Sequence, residues 1–253
     1  MAIQLNERDQ LIFKLIDEHE VLLEKHISWF IAQDDKPVLI RDRLRKLFYL
    51  DYLICHRHGS KLPWWTTPTK PLVYMLSPMA RKMSGFAENS EDILDNDFQR
   101  YHLEVANLRM LFLVAQKNGT ISDFQWSTCK GERKKETGLC AKVTYNCGGK
   151  TLTLGIVNHA PGVVPDAEHL NKALVAEKLD WLLFISQEER ACDAGIEKAL
   201  VATHQDLYRE GIISNAWRKA NGDCVDLTTG AVVPTPAYMS NYVNGTNNLN
   251  IAV

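Results

Sequence analysis

The hydrophobic pattern of the first 85 residues predicts three helices, then two strands, then a short helix. Asn6 is a predicted N-cap because acidic residues follow it, and the helical spacing of the next apolar residues ends near His19. The second helix is expected to include Leu22 and Leu23 in its inner face. The predicted elements are helices over 6–19 and 21–31, a helix opening at Pro37, strands over 52–56 and 71–76, and a short helix capped by Ser77.

The third predicted helix carries four cations beside its apolar stripe. Arg41 and Arg45 lie on one flank of the stripe, and Arg43 and Lys46 lie on the other. A helix that is anchored by one face and basic on both flanks suits the recognition helix of a DNA-binding domain. The same pattern is typical of the solvated face of any amphipathic helix. The predicted buried stripe consists of Ile40, Leu44, Leu47 and Phe48.

The stretch after this helix favours the DNA-binding interpretation. Three helices followed by a strand, a basic loop, a strand and a helix is the element order of a winged helix-turn-helix. Trp64 and Trp65 in the loop are expected to pack on the body of the domain. The residues predicted to contact DNA are Lys36, Arg41, Arg43, Arg45, Lys46, His56, Arg57, His58 and Lys61.

Charge is unevenly distributed along the chain, which sharpens this prediction. The formal net charge of the 253 residues is -2. Residues 36–82 nevertheless contain ten lysines and arginines against two acids, a local balance of +8, so the remainder carries -10. This asymmetry indicates a basic binding face on an otherwise acidic protein. The composition is typical of a globular protein, and no apolar stretch is long enough to predict a membrane span or a signal peptide.

Four stretches of the chain resemble the replication-relaxation family, bacterial proteins of plasmids, phages and other mobile elements. Residues 74–80, YMLSPMA, follow the Y-x-L-T/S-P-x-G/A pattern that ends the wing in that family. The resemblance implies a winged helix, DNA binding in replication, mobilisation or transcriptional control, and a bacterial cytoplasmic or nucleoid-associated location. The stretches are LNERDQLIFKLIDEHEVLLEKHISWFI, RDRLRKLFYLDYLICHRH, PLVYMLSPMARKM and HLEVANLRMLFLVA.

The second half of the chain alternates helical and strand patterns and predicts an α/β core. Cys140 and Cys147 either face each other across a hairpin or are reduced, partly buried thiols, and the second alternative is favoured. The predicted elements are a helix over 97–118, a strand over 120–127, a charged mobile loop over 130–136, strands over 139–146 and 151–157, a helix over 165–179, a strand over 181–185 and a helix over 188–209.

This element order resembles the restriction-endonuclease-like fold that accompanies the family's winged helix. The resemblance implies carboxylates on the central hairpin that hold a divalent metal. Gly138, Gly155 and Val157 stand near those three positions, so the hairpin lacks the required oxygen ligands. The chain also lacks a phosphate-binding G-x-x-x-x-G-K-[ST] loop and a G-x-S-x-G nucleophile elbow. We therefore expect no catalytic residues, no metal and no cofactor.

Together these patterns predict an α/β protein, α+β overall, in two parts with a tail. A winged helix occupies residues 1–85, a nuclease-like and non-catalytic α/β domain occupies 90–230, and 231–253 form a flexible or partner-binding tail. The expected function is sequence-specific binding of double-stranded DNA by a homodimer, as a transcriptional regulator or a replication or mobilisation accessory factor. The alternatives are a metal-dependent nuclease acting at an origin and a module that docks on a relaxase or replication initiator.

Overall fold

A computed structural model describes residues 5–34, 37–62, 64–158, 166–186, 195–196, 198–214, 216–219, 222–228 and 232–233. Within these ranges the chain forms helices and strands in an α+β arrangement, which confirms the predicted class. The helices are α1 Glu7–His19, α2 Glu24–Ala32, α3 Pro37–Tyr49, α4 Pro78–Ser84, α5 Asn96–Lys117, α6 Gly131–Thr137, α7 Ala167–Ala176 and α8 His204–Glu210. The strands are β1 Leu22–Leu23, β2 Leu53–Arg57, β3 Leu72–Leu76, β4 Ser122–Thr128, β5 Ala141–Cys147, β6 Lys150–Asn158, β7 Trp181–Ser186, β8 Ala199–Thr203, β9 Cys224–Val225 and β10 Val232–Val233.

The N-terminal helices pack on an antiparallel three-stranded sheet in the order β1-β3-β2. The predicted cap of α1 is confirmed: Asn6 accepts from the backbone of Asp9 at 3.0 Å, and Asp9 accepts from the backbone of Asn6 at 2.8 Å. The expectation that Leu22 and Leu23 are helical is wrong, because both pair with β3. That partner strand lies some fifty residues away in the sequence, so local periodicity carries no signal of it. The winged-helix assignment itself stays a prediction.

Helix α5 is packed against both halves of the chain. Leu103 contacts the cluster of Val21, Leu23 and Val73 on one face of the three-stranded sheet. Five residues further on, and rotated by about 140° around the helix, Leu108 belongs to the core of the larger sheet. A helix that is apolar on more than one side is expected to be buried between layers, and α5 satisfies this.

The larger sheet has the order β4-β5-β6-β7-β8, with β4 to β6 antiparallel and β6 to β8 parallel. Two sequence expectations fail here. The charged stretch at 131–137 is the helix α6, which ends at Gly138 with φ of 68°, rather than a loop. The expected helix over 188–209 is also wrong over 199–203, which form β8, whereas its last residues are helical in α8. Residues 188–194 and 197 of that expected helix lie outside the described residues. A short buried apolar run is compatible with either structure, and the parallel neighbour β7 decides it.

The cysteine alternatives are resolved for the described part of the chain. Cys140 immediately precedes β5 and Cys147 ends it, so the two thiols lie at opposite ends of one strand and do not face each other across the hairpin. The register places Cys147 opposite Lys150. The five cysteines in the described ranges are free. No helix in these ranges is both long enough and apolar enough to cross a membrane.

Candidate nucleic-acid interface

Helix α3 is held in place by three buried leucine and isoleucine side chains. Ile40 is nearly inaccessible, and Leu44 and Leu47 are fully buried against α1 and the strands. Phe48, which was predicted to complete this stripe, is 42% exposed. It is rotated by about 80° around the helix from Ile40, which carries it past the edge of the core. The buried stripe is therefore narrower than predicted, and the outward face is correspondingly wider.

Arg41 is exposed but already has a carboxylate partner. Its Nε and Nη2 donate to the two carboxylate oxygens of Glu24 at 3.1 and 2.9 Å, and 54% of its side chain remains accessible. The hydrogen bonds and charge of Glu24 raise the pKa of Arg41 above its ordinary value. A phosphate that binds Arg41 therefore has to compete with Glu24.

Arg43 supports the fold instead of facing solvent. It forms a two-pronged ion pair with Asp9, whose side chain is fully buried, and only 18% of the Arg43 side chain is accessible. Asp9 is the same residue that completes the cap of α1, so one carboxylate fixes the start of α1 and the flank of α3. The prediction that Arg43 contacts DNA fits this geometry poorly, because releasing it leaves a buried carboxylate unpaired.

Arg45 and Lys46 point outward from α3. Both are exposed, and neither forms an ion pair with any residue that the structure describes. Lys36, which was also predicted to contact DNA, lies outside the described residues. The same outward face carries large apolar side chains that are at least 42% exposed, namely Val38, Leu39, Phe48 and Tyr49.

The alternation of strand β2 separates the predicted wing residues into two groups. Leu53, Cys55 and Arg57 share the face that packs on α1 and α3, whereas Ile54 and His56 share the face that packs on α5. His56 accordingly meets Gln99 of α5, with Nε2 3.1 Å from the amide oxygen. Arg57 is exposed on the α3 side, where its Nη1 donates to the carbonyl of Lys70 at 2.9 Å. Arg57 therefore shares a side of the sheet with α3, and His56 does not.

His58 anchors the loop to α5. It is fully buried, with Nδ1 2.9 Å from the Ser60 carbonyl and Nε2 3.3 Å from the Asn96 carbonyl. Gly59 donates to the side chain of Asn96 at 2.9 Å, and any side chain at Gly59 meets Asn96 within 2.7 Å. The loop root is thus fixed against α5, and His58 is unavailable to a nucleic acid in this arrangement.

The outer part of the loop carries its remaining cations. Lys61 is exposed, and Lys70 donates from Nζ to the Gly59 carbonyl at 2.6 Å. Trp64 is buried, as expected, and its ring lies 5.4 Å from that of His204 between centroids. The contribution of Lys70 was not predicted. Lys70 lies beside Gly59 because the two ends of the loop between β2 and β3 come together, and no local sequence motif predicts that contact.

The second half of the chain contains a buried polar cluster at the ends of its parallel strands. Glu104 accepts from Arg100 at 2.9 Å, from Asn158 at 3.1 Å and from His204 at 3.3 Å. Burial acts to raise the pKa of Glu104, but hydrogen bonds from His204, Arg100 and Asn158 outweigh burial and hold that pKa below its ordinary value. Every Glu104 contact is therefore internal, which is typical of a structural carboxylate.

The hairpin positions that would hold the metal ligands of a nuclease carry no carboxylates. Gly155 is enclosed by Leu179, Leu182 and Leu139, and Val157 is buried. In the described ranges, no group of three or more histidine, cysteine, aspartate or glutamate side chains is arranged to hold a metal ion.

Comparisons with known proteins found no relative of this chain. Neither a family model, nor a curated protein, nor a solved structure matches the chain. The resemblance to the replication-relaxation family therefore depends on the quoted motifs alone.

Proposed function

We propose that this protein binds double-stranded DNA through α3, with sequence preference, as a transcriptional regulator or a replication or mobilisation accessory factor of a mobile element. The observation that carries the proposal is the outward face of α3. Arg45 and Lys46 are exposed there without a carboxylate partner among the described residues, while the opposite face is locked into the core. A rigid helix with free cations is what insertion into a major groove demands.

The remaining cations have distinct roles in this proposal. Arg57 lies on the α3 side of the sheet and, with Lys61 and Lys70, supplies phosphate contacts from the loop. Each phosphate contact steepens the dependence of log affinity on log salt by about one unit. Arg43 positions α3 through Asp9, and His56 and His58 hold the loop on α5.

Apolar side chains on the same face of α3 also have a place at a DNA surface. Val38 and Leu39 are exposed beside the cations, and apolar groups in a major groove discriminate thymine by its methyl group. Because one helix covers few base pairs, a homodimer on a palindromic site is the proposed binding unit.

The test is a titration of the protein into fluorescent duplexes from the region upstream of its own gene and into scrambled duplexes, at two salt concentrations. We expect Arg45→Gln/Lys46→Gln to lose at least tenfold in affinity and about two units of salt slope. The control is Lys135→Gln/Lys172→Gln, which removes two exposed lysine charges, each paired with a glutamate, from α6 and α7. Equal loss in the two double variants, or no binding by the unmodified protein, would overturn the proposal and favour α3 as a protein-docking face.

We infer in addition that the α/β half is non-catalytic. Supercoiled DNA incubated with the protein and Mg²⁺ or Mn²⁺ is expected to stay intact, because the β5–β6 hairpin supplies no carboxylate to hold either ion. Cleavage that disappears in Glu104→Gln would contradict this inference.

A further inference from the structure

A cavity of about 570 Å³ lies where the N-terminal helices meet the α/β half of the chain. Its walls come from the end of α1, the segment after α4, the first turns of α5, helix α6 and the residue that precedes β5. A cavity of this size matches those that hold small organic ligands, which are concave, mostly apolar and equipped with few polar groups.

Most charges around the cavity are neutralised by one another. Arg81 is buried and pairs with Asp17 at 2.7 Å and with Glu20 at 2.8 Å. Lys130 reaches the same two acids, at 3.8 Å from Asp17 and 3.1 Å from Glu20. These two cations and two acids form a closed set and leave no charge that requires a ligand.

Lys134 is different, because no carboxylate in the described ranges pairs with it. Its ammonium lies over the ring of Tyr101, 4.3 Å from the centroid, on the cavity wall. Desolvation lowers the pKa of Lys134, and the nearby Cys140 thiol acts in the opposite direction. Burial raises the pKa of that thiol to about 12, so it is neutral at pH 7 and provides no counter-charge.

Aromatic rings supply much of the remaining wall. Phe98 lies against His102 with ring centroids 4.4 Å apart, and Phe86 lines the cavity after α4. Burial, reinforced by the charges of Lys134 and Lys130, lowers the pKa of His102 to about 3, so its ring is an uncharged wall at pH 7. Glu88 also lines the cavity, and like Lys134 it is exposed, so water partly screens both charges.

We propose that this cavity binds a small organic monoanion with a planar, apolar body, its acidic group against Lys134 and its body against Phe86 and Phe98. One free cation on an aromatic wall selects one negative charge on an aromatic-sized molecule. The described residues that line the cavity include none from α3. Ligand binding at the cavity and DNA binding at α3 can therefore be tested separately.

The experiment is calorimetric titration of the full chain with 2-naphthoate and with its neutral isostere 2-naphthamide. We expect saturable one-to-one binding of naphthoate, at least tenfold tighter than binding of the amide. Lys134→Gln should abolish this preference while leaving the amide unaffected, and Lys134→Arg should restore it. Lys135→Gln is the matched control, because Lys135 lies on the same helix, 77% exposed and paired with Glu132.

A second variant tests the location without removing charge. Ala87→Phe places a ring at an exposed position of the cavity wall and should weaken both probes, with circular dichroism and thermal melting confirming that the fold is kept. The proposal is overturned if naphthoate, benzoate and indole-3-acetate all fail to saturate the unmodified protein. Naphthoate binding that is insensitive to both Lys134→Gln and Ala87→Phe would likewise overturn it.

Discussion

The outward face of α3 and the Glu104 cluster are both rich in charge, yet they put it to opposite uses. Around Glu104, hydrogen bonds from Arg100, Asn158 and His204 satisfy the carboxylate inside the protein. On α3, Arg45 and Lys46 are exposed and form no ion pair with a described residue, although Asp42 lies one turn before them. The number of charges in a segment therefore does not show how many are available to a partner, because the fold pairs some of them internally.

The largest effect is expected from opening the buried cluster. Glu104→Ala removes the acceptor that Arg100 shares with His204. Arg100 is 21% exposed, but His204 is only 2% exposed, and removing one partner of a buried pair costs about 3–5 kcal/mol. Urea denaturation measures the loss. The control Glu168→Ala breaks the exposed pair with Lys172 and is expected to change stability by less than about 1 kcal/mol. Equal costs in both variants would show that the Glu104 cluster is not a structural core.

Lowering the pH is expected to reduce the stability of the fold through two buried histidines. Burial, with Arg109 nearby, holds the pKa of His19 well below its usual range, and burial with Lys25 lowers that of His26 to about 3. Both stay neutral when folded but bind protons near pH 6.5 when unfolded, so stability is lost as pH falls below 6.5. The expected slope is about 1.4 kcal/mol per pH unit for each histidine.

Glu104 extends this loss at lower pH. Its folded pKa is depressed, so its contribution is present above the unfolded pKa and disappears as pH falls through the folded one. Urea midpoints measured from pH 7 to pH 3 follow the histidine loss and the onset of the Glu104 loss below pH 4.5. His26→Gln should remove about one histidine's share of the slope below pH 6.5, and a flat profile between pH 6 and pH 5 would contradict the assignment.

A smaller effect separates two arginines on the same helix. Arg43→Ala strands the buried Asp9 carboxylate, and because Arg43 keeps 18% of its surface we expect about 2–3 kcal/mol rather than the full cost of a buried pair. Arg45→Ala, two residues on, should change stability by no more than about 0.5 kcal/mol. DNA affinity is expected to fall in Arg45→Ala even where the fold is intact. The reverse pattern would exchange the roles assigned to the two side chains.

The sequence predicts the elements of this protein better than it predicts which side chains are free. Local signals such as the Asn6 cap and the Ile40, Leu44 and Leu47 part of the α3 stripe are confirmed, whereas Phe48 is exposed. The pairing of β1, the strand β8 and the ion pairs of Arg41 and Arg43 all depend on partners far along the chain. No spacing rule contains those contacts. The alternation of side chains along β2 is encoded in the sequence, and it puts His56 and Arg57 on opposite faces of the sheet.

The smallest expected effect comes from freeing Arg41 from its carboxylate partner. Glu24→Gln removes the acid that occupies Arg41, and an exposed pair of this kind contributes no more than about 1 kcal/mol to stability, so the fold should persist. If α3 meets DNA, the released Arg41 becomes available to phosphate, and affinity should rise by a few-fold with about one more unit of salt slope. Adding Arg41→Gln to Glu24→Gln should cancel the gain. Weaker DNA binding by Glu24→Gln would instead mean that the ion pair with Glu24 holds Arg41 in the position that binds DNA. Glu24 would then position a DNA contact, as Asp9 and Arg43 position α3.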